Sequence, residues 1–230
     1  MQREKLQLRV TTSELALAAT LAAVYVVSTF FPISPFIGGG PGFITAEIVM
    51  LPLIAALLRP LLAGASITAG SLGMALFGTS IYGVFGPLGI LVPIIATILG
   101  SFAFHYRLGF LLPWIYVFGG AAYYLLFSKG GTLLWLVPYG IVIVSPIAVL
   151  RVIGVIRTGF LSFYTAMCEQ VTLNILSISV LGLVGPVWAG ITPFMYTERT
   201  VATIGGAVLI VALRSRLGER LEVNLRNLGR

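Results

Sequence analysis

The charged residues of this chain are few and unevenly placed, and this feature most restricts how it can fold. Only 9% of the 230 residues are Asp, Glu, Lys or Arg, whereas 58% are hydrophobic. Long apolar runs separate the charges, and a helix needs about 20 apolar residues to cross the roughly 30 Å hydrocarbon layer of a membrane. The pattern excludes a water-soluble globule and predicts a polytopic membrane protein.

The apolar runs are continuous rather than alternating, which favours membrane-spanning helices over strands. We therefore predict an all-α membrane helix bundle with about eight spans. The bundle is expected to form a single domain over residues 1–213, followed by a basic cytoplasmic tail over residues 214–230. The predicted spans cover residues 14–31, 43–58, 61–79, 85–104, 110–127, 132–150, 158–185 and 199–213.

The positions of the cations predict the orientation. The termini and every second connection between the spans carry Lys or Arg, whereas the other connections contain only Lys129 and Arg199. Cytoplasmic segments of membrane proteins have an excess of Lys and Arg. We expect a multi-pass protein of the cell (plasma) membrane with both termini in the cytoplasm. This bias explains the net charge of +7 without a nucleic-acid partner.

The sequence gives little support to enzymatic chemistry. It contains no GxxxxGK[ST] motif for nucleotide phosphates and no Asp for a metal cluster. His105 is the single histidine and lies at the inner end of a predicted span, so it offers no general base within the membrane. Cys168 is the single cysteine, which excludes an internal disulfide. We predict a protein that is not an enzyme and needs neither a cofactor nor a metal.

Polar residues inside the predicted spans are candidate functional residues because ionisable groups are costly in lipid. Glu169 is placed near mid-membrane, and Asn174 follows it on the same span. Glu169 is a candidate ion or proton site. A structural pair with an arginine inside the bundle, or a protonated side chain packed there, remains the alternative.

Several polar and aromatic residues near the outer surface are candidates for substrate binding. A small-molecule site combines apolar walls with a few polar groups. The candidates, which include Asn174, are Glu47, Tyr82, Lys129, Trp188, Tyr196, Glu198 and Arg199. Trp188 and Tyr196 are also typical of an interfacial aromatic belt, and Glu198 is also a suitable helix cap.

The first predicted span carries two pairs of small residues four positions apart. Ala18 and Ala22 form one pair, and Ala19 and Ala23 form the other. Residues four apart share a helix face, and small residues let another helix approach closely in lipid. The face is expected either to pack within the chain or to dock a separate membrane protein.

Three phrases of the first half resemble the substrate-binding S component of energy-coupling factor (ECF) vitamin transporters. They are ALAATLAAVYVV at 16–27, ITAEIVMLPLIAALLRPLLAGASITAGSLGMAL at 44–76 and FGPLGILVPIIATILGSF at 85–102. ERTVATIGGAVLIVAL at 198–213 is similar to the last helix of that family. Together the phrases cover roughly half of the chain.

The resemblance implies a role and partners. An S component captures a vitamin or metal ion with its outer half. It docks through an Ala-x-x-x-Ala face on its first helix to a transmembrane coupling subunit with cytoplasmic ATPases, and Ala18, Ala19, Ala22 and Ala23 match that face. The family usually has six spans, so residues 110–150 would be an inserted pair.

Three functions follow as hypotheses. The first is a substrate-capture membrane subunit for uptake of a small, vitamin-like micronutrient, energised by partner ATPases. The second is a self-contained secondary transporter that uses Glu169. The third is a structural subunit of a larger membrane complex.

Overall fold

The computed structural model of the chain describes residues 10–35, 43–77 and 81–217. This part is helical apart from one short hairpin, which confirms the predicted all-α class. Its helices, in chain order, are α1 (Thr12–Ser28), α2 (Glu47–Leu57), α3 (Pro60–Phe77), α4 (Ile81–Phe85), α5 (Leu91–His105), α6 (Leu111–Phe127), α7 (Val137–Val144), α8 (Pro146–Arg151), α9 (Gly154–Ser179) and α10 (Val187–Leu217). The 3-10 helices Gly86–Ile90 and Leu133–Leu136 precede α5 and α7.

The apolar helices make the protein compatible with a membrane. By length and composition, four helical stretches of the described residues can cross one: Pro60–Phe77, Gly83–His105, Leu133–Arg151 and Val187–Arg216. Three shorter apolar helices accompany them: Thr12–Ser28, Glu47–Leu57 and Leu111–Phe127. Large apolar side chains point outward, such as Leu76 at 87% and Val144 at 78% exposure, as expected of a surface that faces lipid rather than water.

The connection predicted between the spans 158–185 and 199–213 is wrong, because nearly all of it is helix. α10 begins at Val187 and runs for 31 residues, which is about 46 Å at 1.5 Å per residue. Glu198 and Arg199 therefore lie inside a helix instead of opening a span at the outer surface. Pro193 does not end the helix, since neighbouring groups can satisfy a backbone freed by proline. At the other end, α10 continues past the predicted boundary at 213; residues 218–230 of the predicted tail lie outside the described residues.

A hairpin follows α1 where the sequence suggested only a loop. Strand β1 (Pro32–Pro35) pairs antiparallel with strand β2 (Phe43–Thr45). The backbone N–H of Ala46 donates to the Phe31 carbonyl at 2.8 Å, which closes the base of the hairpin at the start of α2.

α2, α5 and α9 form the centre of the bundle, where each packs against the other two. α10 packs against α2 and α9, α3 packs against α5 and α1, and α6 and α7 pack mainly against α9 and each other. Small residues permit the closest approaches. A Cβ on Gly100 of α5 would lie 2.3 Å from Thr165 Oγ1 of α9, and one on Gly120 of α6 would lie 2.5 Å from Val171.

The arginine-bearing turns lie together at one end of the bundle. Arg59, before α3, pairs with Glu14 of α1 at 2.6 Å. Glu14 also completes a capping box with Thr11, the N-cap residue of α1. Arg107 and Arg157 line one cavity at this end, and the sequence predicts that this end faces the cytoplasm.

The two faces of α1 differ. Ala18 and Ala22 are buried against α3: Ser66 Oγ donates to the Ala18 carbonyl at 2.7 Å, and a Cβ on Gly70 would lie 3.2 Å from the Ala22 carbonyl oxygen. Ala19 and Ala23 are exposed. The first pair therefore packs within the chain, and only the second pair remains open to another protein.

Candidate functional site

Matching faces of α9 and α10 line a pocket in the half of the bundle away from the arginine-bearing turns. On α9, Gln170, Asn174 and Ser177 recur at spacings of four and three, so they share one face of the helix. On α10, a second face with the same periodicity meets them. It carries Trp188, Ile191, Met195 and Glu198.

Other elements complete the wall. Ile44 comes from β2, Leu183 from the α9–α10 connection and Trp135 from the 3-10 helix before α7. Trp135 and Trp188 meet edge to face with ring centroids 4.9 Å apart, a favourable geometry for aromatic pairs. The cavity volume is about 50 Å³, and the whole depression with its open mouth measures about 450 Å³.

Three polar atoms of the wall have no hydrogen-bond partner among the described residues. They are the indole N–H groups of Trp135 and Trp188, which are donors, and the Gln170 side-chain carbonyl oxygen, which is an acceptor. The Gln170 amide donates to Asn174 Oδ1 at 2.9 Å, and the Asn174 amide in turn donates to the Tyr139 hydroxyl. Because buried polar groups are normally paired, these donors and this acceptor are suited to a polar ligand or to water.

A buried ion cluster, formed by Glu169, Glu198 and Arg199, lies beside the pocket. Arg199 Nη1 donates to Glu169 Oε2 at 2.5 Å and to the Ala166 carbonyl at 2.8 Å. Arg199 Nη2 lies 3.5 Å from Glu198 Oε2. The Arg199 and Glu169 side chains are only 2% and 1% exposed, so their attraction acts in a low-dielectric interior.

Glu198 connects the buried ion cluster with the pocket and the hairpin. Its side chain lines the pocket, and its Oε1 accepts a hydrogen bond from Ser34 Oγ of β1. Two carboxylates share the one guanidinium, and Glu198 has the longer contact with it. The carboxylate of Glu198 is therefore the less neutralised of the two, and it faces the space where a ligand would lie.

The structure brings three of the predicted substrate residues into the pocket: Asn174, Trp188 and Glu198. It places three others elsewhere. Arg199 is turned to Glu169, Glu47 is 1% exposed in the first turn of α2, and the Tyr196 hydroxyl donates to the Leu134 carbonyl.

Of the remaining two candidates, the structure describes the side chain of Lys129 alone, and it does not line the pocket. Lys129 is exposed in the turn after α6, and the side chain of Tyr82 lies outside the part that the structure describes. Glu169 is held in a pair with Arg199, which is one of the two alternatives that the sequence left open.

Sequence reasoning missed several residues of the site. Ser34 reaches Glu198 only through the hairpin, and no local pattern signals that contact. Ile191 and Met195 share a helix face with Trp188, but this periodicity was hidden because residues 185–198 were interpreted as a loop. Among the described residues, no group of three or more His, Cys, Asp or Glu is arranged to hold a metal ion.

No protein-family model, curated protein or solved structure matches this chain.

Proposed function

We propose that this protein is a membrane-embedded subunit that captures a small, vitamin-like micronutrient for uptake. The observation that carries the proposal is the pocket between α9 and α10. It combines the rings of Trp135 and Trp188, two donors and one acceptor that have no partner among the described residues, and the carboxylate of Glu198. Apolar walls with a few convergent polar groups are what a small-molecule site requires.

We propose that the chain belongs to the ECF S-component family, on the strength of the phrases at 16–27, 44–76, 85–102 and 198–213. That family usually has six spans, and in this proposal α6, α7 and α8, which pack against α9 and one another, are an inserted pair of spans. In this proposal the chain crosses the membrane eight times, both termini are cytoplasmic and the pocket opens outward.

Intrinsic fluorescence tests the capture of a vitamin directly. The chain has three tryptophans; Trp135 and Trp188 line the pocket, and Trp114 instead donates to the Ile143 carbonyl at 3.0 Å. Thiamine, riboflavin, biotin, pantothenate, pyridoxine, niacin and folate are titrated into the purified protein, with native mass spectrometry in parallel.

One of these vitamins is expected to change the emission of the wild type and of the Trp114→Phe control. The Trp135→Phe/Trp188→Phe variant should lose the emission change, and Glu198→Gln should bind the same vitamin more weakly. If no vitamin changes the emission or the native mass, the capture proposal is wrong.

We further propose that the exposed face of α1 docks a transmembrane coupling subunit with cytoplasmic ATPases. Ala19 and Ala23 are open on this face, and small residues favour close helix contact in lipid. Leucine at either position should reduce ATP-dependent uptake in cells that supply the partners. Ala122→Leu, at an exposed alanine of α6, is the matched control. Equal uptake by all three variants would contradict this docking face.

A second function, proton-coupled transport by the chain alone, is favoured by the two carboxylates that share Arg199. Under it, the purified protein in liposomes would take up substrate along a proton gradient without ATP. Glu169→Gln or Glu198→Gln would abolish that uptake. Uptake that always requires ATP and partner chains would exclude this mechanism in favour of the capture subunit.

A further inference from the structure

A second cavity, at the arginine-bearing end of the bundle, has a composition unlike that of the first. Its cavity volume is about 340 Å³. Three separate parts of the chain line it: the end of α5 and its following turn, the first two turns of α9 and the last turn of α10. The lining residues are Phe104, His105, Tyr106, Arg107, Gly154, Arg157, Thr158, Leu161 and Arg214.

Three arginines line this cavity, which we call the arginine pocket. Arg107, Arg157 and Arg214 come from the three different parts, and no carboxylate of the described residues lies within 4 Å of any of them. At the same end, Arg59 does have a carboxylate partner, Glu14, at 2.6 Å. An arginine can therefore form an ion pair with a carboxylate at this end. Arg107, Arg157 and Arg214 form no such pair with any of the described residues.

The surroundings of the three arginines also favour an anion. α9 begins at Gly154 in the wall of the arginine pocket, and its N-cap residue, Ile153, provides no side-chain hydrogen bond. The first N–H groups of a helix carry partial positive charge and attract anions. Like charges held together repel, and an anion that bridges them relieves this repulsion.

We propose that the arginine pocket binds a phosphate-bearing anion. Guanidinium groups bind phosphate oxygens in bidentate pairs, with charge-assisted hydrogen bonds. The cavity is large enough for a phosphate group with its substituent. Such a group is available as the head group of an anionic phospholipid or as a soluble phosphate at the membrane surface, and both present the same oxygens.

Thermal unfolding of the full chain tests the proposal with two probes. In detergent micelles, sodium pyrophosphate is titrated against sodium chloride at equal ionic strength. In nanodiscs, phosphatidylcholine alone is compared with a mixture of phosphatidylcholine and phosphatidylglycerol. A rise of Tm with pyrophosphate identifies a soluble phosphate, a rise with phosphatidylglycerol identifies the lipid, and a rise with both shows that the phosphate group suffices.

Substitutions of single arginines show which residues bind the anion. Arg157→Gln and Arg107→Gln should each weaken the apparent affinity about tenfold, as expected for the loss of one charged hydrogen bond. Arg157→Lys keeps the charge but loses the bidentate geometry, so its affinity should lie between wild type and Arg157→Gln. Arg151→Gln is the matched control, because Arg151 is exposed at the end of α8 and does not line the pocket.

Two results would overturn the proposal. One is a Tm that neither probe changes in the wild-type protein. The other is a Tm rise that Arg151→Gln reduces as much as Arg157→Gln does. The stabilisation by the probe would then come from the overall positive charge of the protein and not from the arginine pocket. Arg107 is exposed, so Arg107→Gln keeps the test valid if Arg157→Gln fails to fold.

Discussion

Arg199 and the arginines of the arginine pocket are the same residue type in opposite situations. Arg199 is 1% exposed and holds Glu169 at 2.5 Å, with Glu198 as a more distant second partner. Arg107 and Arg214 are exposed and share a cavity without a carboxylate partner among the described residues. Arg199 is enclosed by its counter-ions, whereas Arg107 and Arg214 are accessible to an anion from outside.

The cost of charge in a low dielectric explains the difference. A charge removed from water is tolerated only with a partner and further hydrogen bonds, and Arg199 has both in Glu169 and the Ala166 carbonyl. Arg107 and Arg214 are exposed at the end of the bundle, so their charges do not bear the cost of burial. Arg199 therefore positions Glu169 and Glu198 around the first pocket, whereas the open arginines are free to bind a ligand.

Removal of Arg199 gives the largest expected effect. Arg199→Met leaves Glu169 buried without its partner, which should lower the free energy of unfolding by about 3–5 kcal/mol. Unfolding by sodium dodecyl sulfate in mixed micelles measures it. Arg199→Met/Glu169→Gln removes the unpaired charge as well and should lose less than the single variant. A double variant less stable than Arg199→Met would show that the pair is not the main role of Arg199.

The two carboxylates of the buried ion cluster should differ in the same measurement. Glu169→Gln removes the 2.5 Å partner of Arg199 and should cost about 3 kcal/mol. Glu198→Gln removes the 3.5 Å contact and keeps an acceptor for Ser34, so about 1 kcal/mol is expected. Equal losses would mean that Arg199 is shared evenly, and Glu198 would then not be the more available carboxylate of the pocket.

The sequence predicted the two clusters to different extents. The arginine-bearing turns were recognised because charge is rare in this chain and falls at alternate connections. The sequence did not show that three of these arginines line one cavity, since this depends on how α5, α9 and α10 cross. Glu169 was singled out because a charge inside an apolar run is unusual, and an arginine pair was one of its two interpretations.

The position of Arg199 shows why the rest of the site was harder to predict. The phrase GPVWAGITPFMYTE has the Gly and Pro of a connection, so Arg199 was placed at an outer surface. In the structure only the first two residues of this phrase, Gly185 and Pro186, lie before α10, and the rest of the phrase belongs to the helix. Local propensity could not reveal that Pro193 is accommodated inside α10, because packing against α2 and α9 decides it.

The smallest expected effect is at the arginine pocket when no phosphate is added. Arg157→Gln removes one of three like charges and no ion pair of the described residues, so the free energy of unfolding should change by about 0.5 kcal/mol or less. Added sodium chloride should stabilise the wild type more than this variant, because salt screens the repulsion that the substitution has already reduced. Arg151→Gln should respond to salt as the wild type does. A loss of about 2 kcal/mol or more in Arg157→Gln would indicate a structural partner for Arg157, and the contrast with Arg199 would disappear.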